Sequence, residues 1–285
     1  MHIDVSLRTL LSLSMSLQDS VNKQNDNVDS AAESSISEAT GQVYNIVAFG
    51  ETGVGKSSLV KMLCPSTENQ PTISRDTACC TTESAGYWMT LENATCRYRI
   101  WDTPGLNETE YGTVELRKAL DVIHHLVEEL TKENQCVNLL MYCIRASEYR
   151  PFLRVDYDLV AKLICDDNVP VVAVINGLEN EDNMEDWWKR NHKQLEKDMK
   201  FQDHVCMTTT KGKWNGSRFV FQNEYDESRE KMKEVIRKNC STKPWKIIDF
   251  ATFDEKRTEY MVNYKSRTEP ERKLVGQFIK LVKRH

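Results

Sequence analysis

With 285 residues, 40% hydrophobic and 28% charged, the chain can bury a full core and reads as one large domain with appendages, not two equal domains. A formal net charge of −5 gives no reason to expect a nucleic-acid partner, and basic segments such as Lys280 to His285 are short enough to be solvated helix ends. Nine cysteines, an odd number scattered among apparent strands and helices, do not form a secreted disulfide framework and fit buried free thiols in a reducing, cytoplasmic setting.

In chain order, the N-terminal stretch Leu7 to Leu17 is too polar for a signal peptide, carries Asp4 where a basic region would stand, and is expected to be a short amphipathic helix or unordered. Gln18 to Gln42 is built of Ser, Asn, Asp, Glu and Ala and cannot bury enough surface to offset ordering, so 1–42 is a tail. The folded domain is expected over 43–240, followed by a C-terminal extension, 241–285. No apolar run approaches the roughly 18 residues that would span a membrane.

The apolar run Val43 to Phe49 predicts a strand. It is followed by Gly50-Glu51-Thr52-Gly53-Val54-Gly55-Lys56-Ser57 and then by Ser58-Leu59-Val60-Lys61-Met62-Leu63, a helix. This is G-x-x-x-x-G-K-[ST] between a strand and a helix, the setting in which the pattern is specific. Its glycines let backbone N–H groups and a helix N-terminus wrap a polyphosphate. Lys56 would reach the β- and γ-phosphates, and the Ser57 hydroxyl would help hold Mg2+.

Pro65 to Thr82 reads as a long loop beside the phosphate site, and long loops in compact domains are usually functional. The alternating runs Ala85–Leu91 and Thr95–Trp101, separated by Glu92-Asn93-Ala94, predict an antiparallel hairpin. Asp102-Thr103-Pro104-Gly105-Leu106 follows the second strand, about 45 residues after the P-loop. There an Asp holds Mg2+ through water, and the Gly105 N–H approaches the γ-phosphate.

Apolar spacing then predicts a helix over 110–130, a buried strand at Val137–Ile144, a helix over 157–165, a buried strand at Val169–Ile175, a charged helix over 184–199, a short strand at Val205–Met207 and a helix over 225–239. Residues 212–223 interrupt this order as a small hairpin, and Trp245 to Phe250 would dock before a terminal helix from Glu269. Strands alternating with helices after a P-loop imply an α/β fold, a doubly wound, mostly parallel sheet in three α/β/α layers. The vicinal Cys79-Cys80 is not a C-x-x-C, and the adjacent His124-His125 would fall on different faces of a helix, so neither pair is expected to hold a metal. Trp187-Trp188 point about 100° apart on a helix, so one is expected in the core and the other partly exposed.

On these motifs the chain resembles the translation-factor-related class of P-loop GTPases. Within it the chain looks most like septin and immunity-associated (avirulence-induced) relatives, and closer still to fungal G domain-containing proteins. The resemblance covers roughly 43–239 and rests on Gly50 to Ser57, Asp102 to Leu106, and Val171 to Trp188. It implies a mobile-loop threonine that binds Mg2+ and the γ-phosphate: Thr81 is preferred, with Thr77 and Thr82 as alternatives. Where the class reads guanine with Asn-Lys-x-Asp, this chain has Asn176-Gly177-Leu178-Glu179. Glu179 would present two oxygens to guanine's N1–H and N2 amine. The other reading, a loop acid capping a turn, stays open.

Thr208-Thr209-Thr210-Lys211 stands where the class contacts the base carbonyl, with Thr209 as the candidate. Leu106 stands where many small GTPases carry a water-orienting glutamine. Arg75 could act as an arginine finger in cis or be a solvated loop residue, and Glu108 and Glu110 are further candidates for positioning water. The expectation is a guanine-nucleotide-binding protein that hydrolyses GTP to GDP with Mg2+, slowly or assisted by a homodimer across the nucleotide face or by a protein effector. The alternatives are an ATPase or less selective NTPase, cleavage of GTP beyond GDP, and a nucleotide-dependent switch with little hydrolysis.

Overall fold

The computed structural model describes residues 42–65, 84–89, 91, 96–106, 113–132, 136–146, 152–243, 245 and 255. A division falls after Gln42, separating Met1–Gln42 from Val43–His285. Six strands form one sheet in the order β2-β3-β1-β4-β5-β6. They are β1 (Val43–Phe49), β2 (Ala85–Met89), β3 (Arg97–Asp102), β4 (Val137–Arg145), β5 (Val171–Asn176) and β6 (Asp203–Met207). All pairings are parallel except β2 with β3, the predicted hairpin, which places β2 antiparallel at the edge.

The helices are α1 (Lys56–Leu63), α2 (Thr113–Lys132), α3 (Phe152–Tyr157), α4 (Glu185–Leu195) and α5 (Gln222–Asn239), with a π-helical segment, Asp158–Ile164, continuing α3. Strand side chains alternate between two cores. Ile46, Ala48, Met141, Val174 and Val205 pack with Leu59 of α1 and Met232 and Ile236 of α5. Val47, Phe49, Tyr142, Ile144 and Ile175 pack on the other face with Ile123 of α2, Leu153 of α3 and Trp187 of α4. Both faces of a parallel sheet are thereby covered, which is why β1, β4 and β5 read as continuous apolar runs.

The predicted helix at 157–165 starts earlier, at Phe152, and its second half widens to π geometry, so the apolar period seen in the sequence captured only part of it. Trp187 is buried, while Trp188 is partly exposed and stacks on His204 with ring centroids 4.2 Å apart. His124 is buried and His125 exposed, yet, against the expectation that they face apart, one ligand atom each from His124, His125 and Glu128 lies within 4.8 Å of the others. Seven described cysteines are free, five of them buried. Among the described residues no helix is long and apolar enough to cross a membrane. The predicted terminal helix lies outside the described residues.

One polar knot interrupts the core. The β1–β4 register skips Asn138, because Asn45 pairs with Val137 and Ile46 with Leu139. The Asn138 side chain fills the gap in the ladder. Its Oδ1 accepts the Asn45 N–H at 2.8 Å, and its amide donates to Ser241 O at 2.9 Å. The Asn45 side chain donates to Cys136 O and accepts from Trp101 Nε1. Beside it, Trp245 and Val137 exchange backbone bonds, docking the segment after α5 on the start of β4. Asn138→Ala removes the acceptor of a buried N–H and should cost about 1–3 kcal/mol. A urea titration should show a lower midpoint at unchanged slope, and an unchanged midpoint would refute this reading of the knot.

Candidate nucleotide site

The carboxyl ends of β1, β3, β4, β5 and β6 converge on one rim of the sheet, and the loops leaving them form the candidate site. The first loop leaves β1 at Gly50 and closes at Gly55, which adopts φ 99° and serves as N-cap to α1 without a side-chain cap. Position 55 therefore offers no capping side chain to the first-turn amides of Lys56, Ser57 and Ser58, the arrangement that suits an anion. Lys56, nearly buried, folds back over the loop, and its Nζ donates to Gly50 O at 3.1 Å and Glu51 O at 2.9 Å. This brings a cation to the same loop as the N–H groups.

Ser57 and Asp102 meet beneath that loop. The Ser57 hydroxyl donates to Asp102 Oδ2 at 2.6 Å. Asp102 is 2% exposed, and its Oδ1 is buried without a hydrogen-bond partner among the described residues. Burial pushes its carboxyl above the usual 3.8, while Ser57 and the charge of Lys56 pull it back. A carboxylate desolvated on one oxygen, next to a hydroxyl, is a hard-oxygen donor set of the kind Mg2+ prefers. The residues present thus fit the ion implied by the sequence motif. Thr103 fixes the turn by donating to Ala48 O at 2.7 Å. Gly105 lies against the P-loop so closely that any Cβ would collide with Thr52.

Leu106 turns away from this space. Its N–H donates to Gly50 O at 3.0 Å, and its side chain is 0% exposed within the core beside α2.

Asn176 joins the loops after β5 and β6 to the phosphate loop. Asn176, 5% exposed at the end of β5, donates from Nδ2 to Val54 O at 2.8 Å and to Thr209 Oγ1 at 3.0 Å, and its Oδ1 accepts the Thr209 N–H at 3.0 Å. Gly55 is required here, since a Cβ would strike the Asn176 side-chain amide. Three residues on, Glu179 Oε2 accepts the hydroxyl of Thr208 at 3.0 Å, and the Thr208 N–H donates to Ser228 Oγ of α5. An acid, a hydroxyl and an amide are thus assembled at one end of the phosphate loop.

Residues 45–177 match the model of a family described as 50S ribosome-binding GTPase. The match ends before Glu179 and the Thr208–Thr210 loop, so the base-side acid lies outside it. A search of the curated proteins finds no match. Among solved structures, Era in complex with MgGDPNP and nucleotides 1506–1542 of 16S ribosomal RNA is 18% identical, with 80% of this chain and 69% of that one covered and a TM-score of 0.52. A point mutant of Era from Aquifex aeolicus bound to GDP·AlF4− is 17% identical over 79% and 69%, with a TM-score of 0.49. A dimerization-deficient mutant of Toc33 from Arabidopsis thaliana is 17% identical over 72% and 88%, with a TM-score of 0.46.

The fold is that of a P-loop GTPase. Identities this low speak to fold and nothing finer. On this GTPase fold, Gly50 to Ser58, Asp102, Gly105, Asn176, Gly177, Glu179 and Thr209 all lie on the one rim. Thr81, Thr77, Thr82, Arg75, Glu108 and Glu110 lie outside the described residues. The Thr209 N–H donates to Asn176 Oδ1. Thr208 was not singled out in the sequence, because three consecutive threonines give no indication of which hydroxyl turns toward the acid.

Asn176→Ala removes one buried and two partly buried hydrogen bonds from this junction and should cost about 2–4 kcal/mol of stability at about 1 kcal/mol or slightly more each. Nucleotide affinity should fall with it. Calorimetric binding together with a urea titration measures both, and wild-type values for the variant would show that Asn176 does not join the loops.

Proposed function

We propose that the protein binds GTP with Mg2+ and hydrolyses it to GDP and phosphate, slowly when alone. The observation that supports this is the Asn176 junction, which ties the phosphate loop to the loops bearing Glu179 and Thr209.

In this reading 43–240 is the nucleotide-binding domain. The P-loop amides and Lys56 bind the β- and γ-phosphates. Ser57, Asp102 and, from the preceding loop, Thr81 hold Mg2+, which when bound neutralises phosphate charge. The Gly105 N–H meets the γ-phosphate. Glu179 keeps one oxygen on Thr208 and still has lone pairs for two donors, matching the N1–H and N2 amine of guanine. Adenine offers no such pair of donors on that edge, so the acid favours GTP over ATP.

The burial of Leu106 supports slow turnover. No side chain at 106 reaches the phosphate side to orient water, so that task falls to Arg75, to another loop group, or to a second copy or protein partner docking across the nucleotide face. The same observation favours a nucleotide-dependent switch as a second reading. The Leu106 departure also supports a place near the septin and immunity-associated GTPases, and the buried thiols support a cytoplasmic setting.

Purified protein should release phosphate from GTP over many turnovers and lose at least about a hundredfold in rate on Lys56→Ala, by the scale of losing one preorganised phosphate contact. Release no faster than that of the variant would leave only the switch reading, and ATP competing as well as GTP would remove guanine selectivity.

A further inference from the structure

Gly177 occupies the position at which the guanine-reading motif of this class places a lysine stem along the base. Its φ of 92° disfavours any side chain there. The space is nevertheless not bare. The side chain of Arg145 lies over it, with Cγ and Cζ 3.7 Å and Nε 3.9 Å from the point where a Gly177 Cβ would stand. Arg145 ends β4, pairs in register with Asn176, and is followed by Ala146, whose N–H donates to Asn176 O at 2.8 Å. Its backbone is therefore tied to the residue that joins the phosphate and base loops, while its side chain is exposed on the rim.

We propose that Arg145 supplies from β4 the base-flanking contact that Gly177 lacks, its guanidinium packing on the face of the purine whose edge Glu179 reads. The chemistry suits the position. A guanidinium is planar, delocalised and weakly hydrated, so it stacks on an aromatic face where an ammonium acts only as a point charge. Face stacking is tolerant of base identity, because every base has a π-face. The site thus divides its work: Glu179 sets which purine binds, and Arg145 adds affinity for any purine. Gly177 fits this division, since a larger residue there would compete with Arg145 for the same space.

The proposal rests on the placement of the base beside Glu179, and its test separates the two. Equilibrium binding of GTP, GDP, ATP and inorganic tripolyphosphate is measured for the wild type, Arg145→Ala and Arg145→Lys. Arg145→Ala should weaken GTP, GDP and ATP by a common factor of about ten, within the range of a partly desolvated cation–π contact. It should leave the GTP-to-ATP ratio and tripolyphosphate binding unchanged, and Arg145→Lys should recover only part of the loss. Wild-type nucleotide affinity in Arg145→Ala overturns the proposal. So does an equal loss for tripolyphosphate, which would mark a simple charge effect, or full recovery by lysine. A wild type that binds GTP and ATP equally would remove the role of Glu179 while leaving that of Arg145 to be read from the common factor. Arg145→Lys keeps the charge and most of the volume, so it preserves the test if the alanine variant folds poorly.

Discussion

The side-chain amide of Asn176 is the contact on which the site depends. The P-loop is held at its start by β1 and at its end by α1, and the loops that follow β5 and β6 lie far from it in the chain. Asn176 joins them from the buried end of β5, giving one hydrogen atom to Val54 O and another to Thr209 Oγ1, and accepting the Thr209 N–H. All three of its bonds are buried or partly buried, where an unsatisfied polar group is expensive. Only a glycine at position 55 leaves room for the arrangement. The glycine that caps the phosphate loop and the asparagine that opens the base motif are therefore one structural unit.

Two consequences follow from that unit. The first is that the phosphate loop and the loop after β6 are mechanically linked, since displacing Val54 O would draw on the same amide that positions Thr209. The second is a clear separation of charge. Lys56 and the helix N-terminus stand at the phosphate end, Asp102 lies below with one oxygen unpartnered among the described residues, and Glu179 stands at the far end, held by Thr208. Burial of Asp102 is costly unless a cation or hydrogen bonds compensate, and Ser57 and Lys56 provide part of that compensation.

Much of this was legible in the sequence where the signal is local. β1 spans Val43–Phe49 as its apolar run indicated, the P-loop joins it to a helix, and the alternation across 85–101 gave the antiparallel hairpin. Parallel strands buried on both faces betray themselves as continuous apolar runs, so β4 and β5 were also visible. Features made by distant contacts were not. Asn138 standing in for a backbone ladder, Thr208 being the threonine that meets Glu179, and Arg145 covering Gly177 all depend on tertiary register, and a single sequence carries no period or motif for such pairs. The π-helical widening at Asp158–Ile164 was hidden because its apolar spacing resembles an ordinary helix. Leucine at 106 is chemically unable to orient water, but only the structure shows that it is a core residue.

The central claim is that Glu179 reads the guanine edge at the end of a phosphate loop set by Asn176, and it is tested most directly by exchanging the chemistry of both partners. Glu179→Gln replaces one acceptor oxygen with an NH2 donor. Xanthine differs from guanine by carrying an acceptor oxygen where guanine has the N2 amine, so the glutamine matches xanthine and mismatches guanine. Binding of GTP and XTP to the wild type and to Glu179→Gln should show a reversal, with the wild type preferring GTP and the variant XTP by about tenfold or more, the scale of one mispaired hydrogen bond at a partly buried site. An unchanged GTP-to-XTP ratio would contradict the account by showing that Glu179 does not face the base.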